Sequence, residues 1–162
     1  MSNFTITKAT RADIKPICTL VKELAEYEKL SHIISFKEDE FAFCIFDKNY
    51  AQILVCKSEN DIVGYAIYFY TFSTFLGRGG IYLEDLYVKQ DYRAKGIGRA
   101  FLARLAQICK EENLSRLEWA CLNWNEPSIK FYENLGAINL SKEWRTYRLN
   151  GENLVNLADD KR

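Results

Sequence analysis

Apolar residues recur along this chain at two spacings, and the switches between them mark its elements. Phe4–Lys8 alternates as a first strand, and Thr10 then stands as N-cap to Ile14, Ile17, Leu20, Val21 and Leu24. These repeat at helical spacing to about residue 28. Pro16 falls near the start of that helix, where a missing N–H costs least. Ser35-Phe36-Lys37-Glu38 has the form of a capping box and predicts a second helix through Phe46. Residues 51–57 and 62–70 read as strands joined by Ser58-Glu59-Asn60-Asp61, a hairpin turn by composition. Residues 81–88 form the next strand, 98–110 a helix and 116–122 a strand. A short helix follows Asn125. Residues 138–140 and 145–149 are expected to close the sheet, with a last helix over 151–158.

The junction of the 81–88 strand and the helix after it carries the first chemical signal. Arg93-Ala94-Lys95-Gly96-Ile97-Gly98 leads straight into Arg99-Ala100-Phe101-Leu102. That order sets backbone N–H groups at a helix N-terminus, where unpaired donors and partial positive charge favour an anion. A dinucleotide fingerprint needs a third glycine where Phe101 stands. A P-loop needs Gly-Lys-Ser/Thr, and Gly98 is followed by Arg99-Ala100. Neither fits. A second signal lies downstream, where Asn125 is an N-cap, Pro127 sits in the first turn and Gly136 suits the end of the helix. Asn125 and Tyr132 are seven apart and share one helix face.

Together these segments resemble the GNAT N-acetyltransferases. The first resembles their acetyl-CoA pyrophosphate loop, Arg/Gln-x-x-Gly-x-Gly/Ala; the second resembles their later motif, Asn, then Tyr seven residues on, then Gly-Ala or Gly-Phe. The resemblance sharpens to the diamine (spermidine/spermine) acetyltransferases and their thialysine-acetylating relatives. It does so at Lys22-Glu23-Leu24-Ala25-Glu26-Tyr27-Glu28, Tyr82-Leu83-Glu84-Asp85, Asp91-Tyr92-Arg93, Trp124-Asn125-Glu126-Pro127-Ser128 and Glu143-Trp144-Arg145. Glu28-Lys29-Leu30-Ser31 and Ser73-Thr74-Phe75-Leu76-Gly77-Arg78 lean to the thialysine branch; Trp124 to Ser128 lean to the polyamine branch.

The resemblance implies an α/β fold of the acyl-CoA N-acyltransferase kind: a mixed, mostly antiparallel sheet with splayed central strands, flanked by helices. It implies one domain over 1–162, acetyl-CoA as co-substrate, a small primary amine as acceptor and a homodimer. A polyamine or diamine is the favoured acceptor. A lysine-like amino acid is the alternative, with Arg78 or Arg145 for its carboxylate, and a non-catalytic acetyl-CoA-binding module stands behind both.

The implied reaction explains which residues matter. An alkylammonium has a pKa near 10.4, so at pH 7 only on the order of one molecule in a few thousand is free amine. Glu84, interrupting an apolar strand, matches the carboxylate that draws the proton off; a surface ion pair is its plainer reading. Tyr132 matches the acid that protonates the departing CoA sulfur; packing beside Phe131 and Leu135 is its plainer reading. Leu86, Tyr87 and Val88 would pair with the pantetheine arm, with a backbone N–H near Leu86 on the carbonyl oxygen. Asn125 would also bond the arm. The pyrophosphate would sit on Ala94, Lys95, Gly96, Ile97, Gly98 and Arg99, with Arg93, Lys95 and Arg99 as charge partners. Tyr27, Glu28, Phe75, Glu84, Asp85 and Trp144 fall at acceptor-side positions. Glu26 and Glu28 read equally well as the solvated end of a helix, and Phe75 stands where the polyamine enzymes carry Trp.

Composition narrows the class further. The chain has 162 residues, long enough for one domain with a core. Twenty-two basic residues balance 22 acidic ones, so no broad attraction to nucleic acid or an anionic membrane is expected. Met1-Ser2-Asn3-Phe4 has no basic or long apolar run, and no stretch approaches a membrane span. A cytoplasmic location is expected. The five cysteines, Cys18, Cys44, Cys56, Cys109 and Cys121, are odd in number and lie in apolar surroundings, which points to reduced thiols. His32 is the single histidine, and no metal is expected.

Overall fold

The computed structural model describes residues 4–59 and 61–159; the readings of Met1-Ser2-Asn3 and of Asn60 as a turn residue lie outside the described residues. The chain divides into two compact units, Met1–Ala120 and Cys121–Arg162.

The first unit is built on a sheet. Its elements run β1 (Phe4–Lys8), α1 (Ile14–Tyr27), α2 (Glu38–Ala42), β2 (Gln52–Ser58), β3 (Asp61–Ser73), β4 (Arg78–Val88), α3 (Ile97–Glu111) and β5 (Leu117–Trp119). The strands lie in the order β1-β2-β3-β4-β5. The first three pairings are antiparallel and β4–β5 is parallel, because only the crossover through α3 is long enough to bring the chain back in the same direction. The mixed, mostly antiparallel sheet expected from the sequence is present.

The two sheet faces are covered differently. Ile17, Leu20 and Leu24, one stripe of α1, bury against Ile53, Val55, Tyr65, Ile67 and Tyr87 of β2, β3 and β4. Each such side chain contributes about 1.5–3 kcal/mol on full burial. Gly64 neighbours Tyr65 on β3 and so faces the other way. There it meets α3: a Cβ on Gly64 would stand 3.3 Å from the Phe101 ring and 2.7 Å from the Tyr87 carbonyl oxygen.

Both α-helical starts differ in detail from expectation. Thr10 first caps a single 3-10 turn, Arg11–Asp13, that runs into α1. The Thr10 N–H and hydroxyl both donate to Asp13 Oδ2 at 2.8 Å, and Lys57 Nζ donates to Oδ1 at 2.9 Å. The capping box expected at Ser35 does not form. Lys37 is the N-cap of α2 and has no side-chain cap. Ring contact between Phe36 and Phe41, 5.1 Å between centroids, fixes that entry, and α2 continues as a π-helical turn, Phe43–Asp47.

β5 is shorter than residues 116–122. Only Leu117, Glu118 and Trp119 pair, with Ile81, Tyr82 and Leu83. Beyond Leu83 the β5 side of β4 makes no ladder among the described residues.

The second unit holds α4 (Glu126–Glu133) and α5 (Gly151–Ala158). The strands expected over 138–140 and 145–149 are absent. The backbone near the first is taken up locally: Ser141 N–H donates to Asn139 Oδ1 at 2.9 Å, and Trp144 N–H to the Leu140 carbonyl at 3.2 Å. Such Asx and turn bonds compete with a ladder and here replace it.

Two outcomes follow for stability. Gly64→Ala forces a methyl against the Tyr87 backbone and is expected to cost about 1–3 kcal/mol, read from urea midpoints. Burial pushes the Asp13 carboxyl up, but its bonds from Thr10 and Lys57 outweigh this and hold it below its usual value of 3.8. A depressed folded pKa stabilises above the unfolded value and is lost as pH falls through the folded one. Asp13→Asn is therefore expected to flatten the fall in urea midpoint below about pH 4.

Candidate active site

The anion cradle begins where β4 ends. Lys89 N–H donates to the Val63 carbonyl at 2.9 Å, closing the sheet, and a 3-10 turn over Gln90–Tyr92 reverses the chain. Arg93 then ties the loop down. Its Nε donates to the Val88 carbonyl at 2.9 Å, and its guanidinium lies 4.8 Å from the Tyr27 ring centroid and 5.6 Å from that of Tyr87. Lys95 Nζ lies 4.9 Å from the Tyr92 ring centroid. Arg93 is thus a fastening residue of the loop as well as a cation near it.

Ala94 and Gly96 both take left-handed backbone, at φ 59° and 84°. Gly96 is the N-cap of α3, with no side-chain cap. The first helical bond runs from Ala100 N–H to the Gly96 carbonyl at 2.9 Å, which leaves Ile97, Gly98 and Arg99 N–H without intrahelical partners. Buried Ile97, Phe101 and Leu105 fix the helix behind them. The arrangement offers oriented donors, positive dipole and nearby cations to a diphosphate, and these residues fit one.

The second half of the site is an irregularity in β4. Ile67 pairs with Asp85 and Tyr68 with Leu83, so Glu84 is the extra residue of a β-bulge. It is also the first residue beyond the β5 ladder. Glu84 is exposed, while Asp85 is half-buried. Burial, then the Glu84 and Glu28 carboxyls, push Asp85 up to about 6, with the Tyr65 hydroxyl pulling the other way. Burial also raises Glu28, at the end of α1. Tyr87, opposite Tyr65, donates its hydroxyl to Glu23 Oε2 at 3.0 Å. Sequence reasoning found Glu28, Glu84 and Asp85 but missed the bulge and Tyr65. Glu84-Asp85 within an apolar strand was the one available sign of the bulge.

Two expected residues of the first unit stand apart from this cluster. Phe75 is 95% exposed at the tip of the β3–β4 hairpin. Seven residues of strand separate Arg78 from Asp85, about 23 Å at the usual rise, so a single chain does not bring Phe75 or Arg78 to the acidic pair. In the second unit Asn125 is buried and its Oδ1 accepts from Ser128 N–H at 3.4 Å, the expected cap. Tyr132 lies on α4 with its ring 5.3 Å from that of Phe131, and Gly136 takes the expected left-handed conformation. Trp144 is exposed. None of the five cysteines is in a disulfide.

The Acetyltransferase (GNAT) family model matches residues 19–137, from within α1 through the cradle to the end of the Asn125 motif. The chain belongs to the GNAT acetyltransferase family. It is 35% identical to thialysine N-epsilon-acetyltransferase of Sus scrofa, over 98% of this chain and 99% of that one. It is 32% identical to the Homo sapiens spermidine/spermine N(1)-acetyltransferase-like protein 1, over 98% of this chain and 24% of that one. Among solved structures, an integron cassette protein from the mobile metagenome of V. cholerae superposes with a TM-score of 0.82 at 26% identity, covering 98% of each chain. A ribosomal-protein-alanine N-acetyltransferase from Brucella melitensis shares the fold, with a TM-score of 0.72 at 21% identity over 92% of this chain and all of that one. The protein is an N-acetyltransferase, and acetyl-CoA is the donor that GNAT acetyltransferases use.

Gly96→Ala tests the cradle. A left-handed alanine costs about 1–2 kcal/mol, so calorimetry is expected to show weakened acetyl-CoA binding together with a lower urea midpoint.

Proposed function

We propose that this acetyltransferase acts on a small cationic primary amine, a polyamine or diamine. One observation carries the reading. The groups acting on Asp85 are two carboxyls, Glu28 and Glu84, and the Tyr65 hydroxyl, a setting that an ammonium group relieves. Tyr27, exposed next to Glu28 at the end of α1, and Trp144 are the aromatic surfaces proposed for the methylene chain of the acceptor; a single chain keeps Phe75 away from the acidic pair. The span of the family match, which runs from the first compact unit into the second, supports reading 1–162 as one catalytic domain.

Acetyl-CoA supplies a thioester acetyl group when bound. In this reading Lys95 to Arg99 N–H groups and the Arg93, Lys95 and Arg99 side chains hold its diphosphate, with Ala94 shaping the loop. The free edge of Leu86, Tyr87 and Val88 and the Asn125 side chain align its arm. Glu84, exposed on the bulge and clear of the ladder, draws the proton from the amine directly or through water. Tyr132 returns a proton to the departing sulfur. The enzyme is taken as a cytoplasmic homodimer, on the resemblance alone.

A second reading, a lysine-like amino acid such as thialysine, is favoured by the near full-length match to the Sus scrofa protein. It requires a cation for the acceptor carboxylate, for which Arg145 is the candidate, since a single chain keeps Arg78 away from the acidic pair.

Amine-dependent release of CoA thiol from acetyl-CoA, with spermidine and thialysine side by side, separates the two. Faster release with spermidine is expected. Faster release with thialysine transfers the assignment to the amino-acid reading, and no release with any amine leaves a binding module. Tyr132→Phe is expected to slow turnover by about 10²–10⁴-fold while acetyl-CoA still binds by calorimetry.

A further inference from the structure

Tyr65 is completely buried, and its hydroxyl has no partner at full hydrogen-bond geometry; the acceptor that acts on it is the Asp85 carboxyl. A buried hydroxyl left in that state costs stability, and phenylalanine would fill the same space without the cost. The register shows what the hydroxyl addresses. Tyr65 is directly opposite Tyr87 and Ile67 directly opposite Asp85, so Tyr65 and Asp85 are diagonal neighbours on one sheet face. That face is the one covered by α1, whose end carries Glu28. The charges acting on the Tyr65 hydroxyl are those of Asp85 and Glu28, with Tyr87 beside them.

We propose that Tyr65 is the positioning residue of the acceptor subsite: its hydroxyl holds the Asp85 carboxyl ionised and aimed at the incoming ammonium, beside Glu28. The inference rests on the amine-acceptor reading above and deepens it. The groups that act on Asp85 are Glu28 from the end of α1, Glu84 from its own strand, and Tyr65 from β3. The two carboxyls oppose its ionisation, and the phenol alone favours it. Around them, Tyr87 is engaged by Glu23 and overlaid by Arg93. Without the Tyr65 hydroxyl, Asp85 stays protonated to higher pH, and the subsite loses a negative charge in the range where the parent still has it.

Tyr65→Phe tests this in the full-length protein by two readouts. The first is the pH profile of kcat/KM for the amine, taken as the ratio of variant to parent so that the amine's own titration cancels. The ratio is expected to fall about five-fold at pH 6 and to approach about ten-fold below it, the equivalent of one pKa unit, and to recover toward unity at alkaline pH. KM for acetyl-CoA stays unchanged, and the urea midpoint is equal or higher. A ratio near one throughout, or a uniform loss at all pH values, overturns the proposal.

The second readout needs no turnover. Carboxyl-carbon NMR, with Asp85→Asn identifying the signal, is expected to give an Asp85 midpoint of about 6, raised in Tyr65→Phe and lowered in the parent by added spermidine. Equal midpoints in parent and variant overturn the role of Tyr65, whatever the kinetics. A parent that releases no thiol with any amine removes the acceptor reading instead, and the two failures are therefore distinct.

Discussion

Strand β4 has two neighbours over its first half and one over its second, and the first unit is arranged around that asymmetry. Among the described residues it is paired on both sides up to Leu83, and from Glu84 onward β3 alone holds it. The bulge falls at the same point, so the strand changes its pairing and its pleat together. Backbone groups of Leu86 to Val88 are thereby turned outward without a ladder, at the end of a strand that feeds directly into the cradle. Packing secures this opening from behind: Phe101 of α3 presses on Gly64, leaving no room there for a side chain, and Tyr87 locks the other face to α1 through Glu23. The open edge is affordable because both flanking faces are closed.

Much of this was legible in the chain. Strand and helix periodicities located the elements of the first unit because each has one buried face and one exposed face. The cradle was legible because Gly96 sits where left-handed backbone is required and because chain order places a helix N-terminus behind it. What escaped prediction was long-range. A bulge at Glu84 depends on the register with Ile67 and Tyr68, which no local pattern encodes. Tyr65 looked like one more aromatic in an apolar strand; only the pairing with Tyr87 puts it diagonal to Asp85. The region 138–149 was misread for the opposite reason. Its apolar residues alternate as in a strand, but Asn139 and Leu140 direct the nearby backbone into local turns.

Arg93 shows how a motif residue can be read correctly and still incompletely. Its position in the loop signature suggests a charge for an anion. In the structure its guanidinium also lies over two tyrosine rings and bonds the last carbonyl of β4. Stacked and tethered in this way, it loses less side-chain freedom on meeting an anion than a solvated arginine does, because its geometry is already set.

The acidic cluster belongs to a chain with no net charge, 22 positive groups against 22 negative. Its field is therefore that of a few carboxyls against a neutral background, and at physiological ionic strength it is screened within about 8 Å. A diffusing cation feels little pull until it is nearly in contact. Discrimination among amines then resides in how long the bound molecule stays, not in how quickly it arrives, and added salt changes its capture rate only slightly.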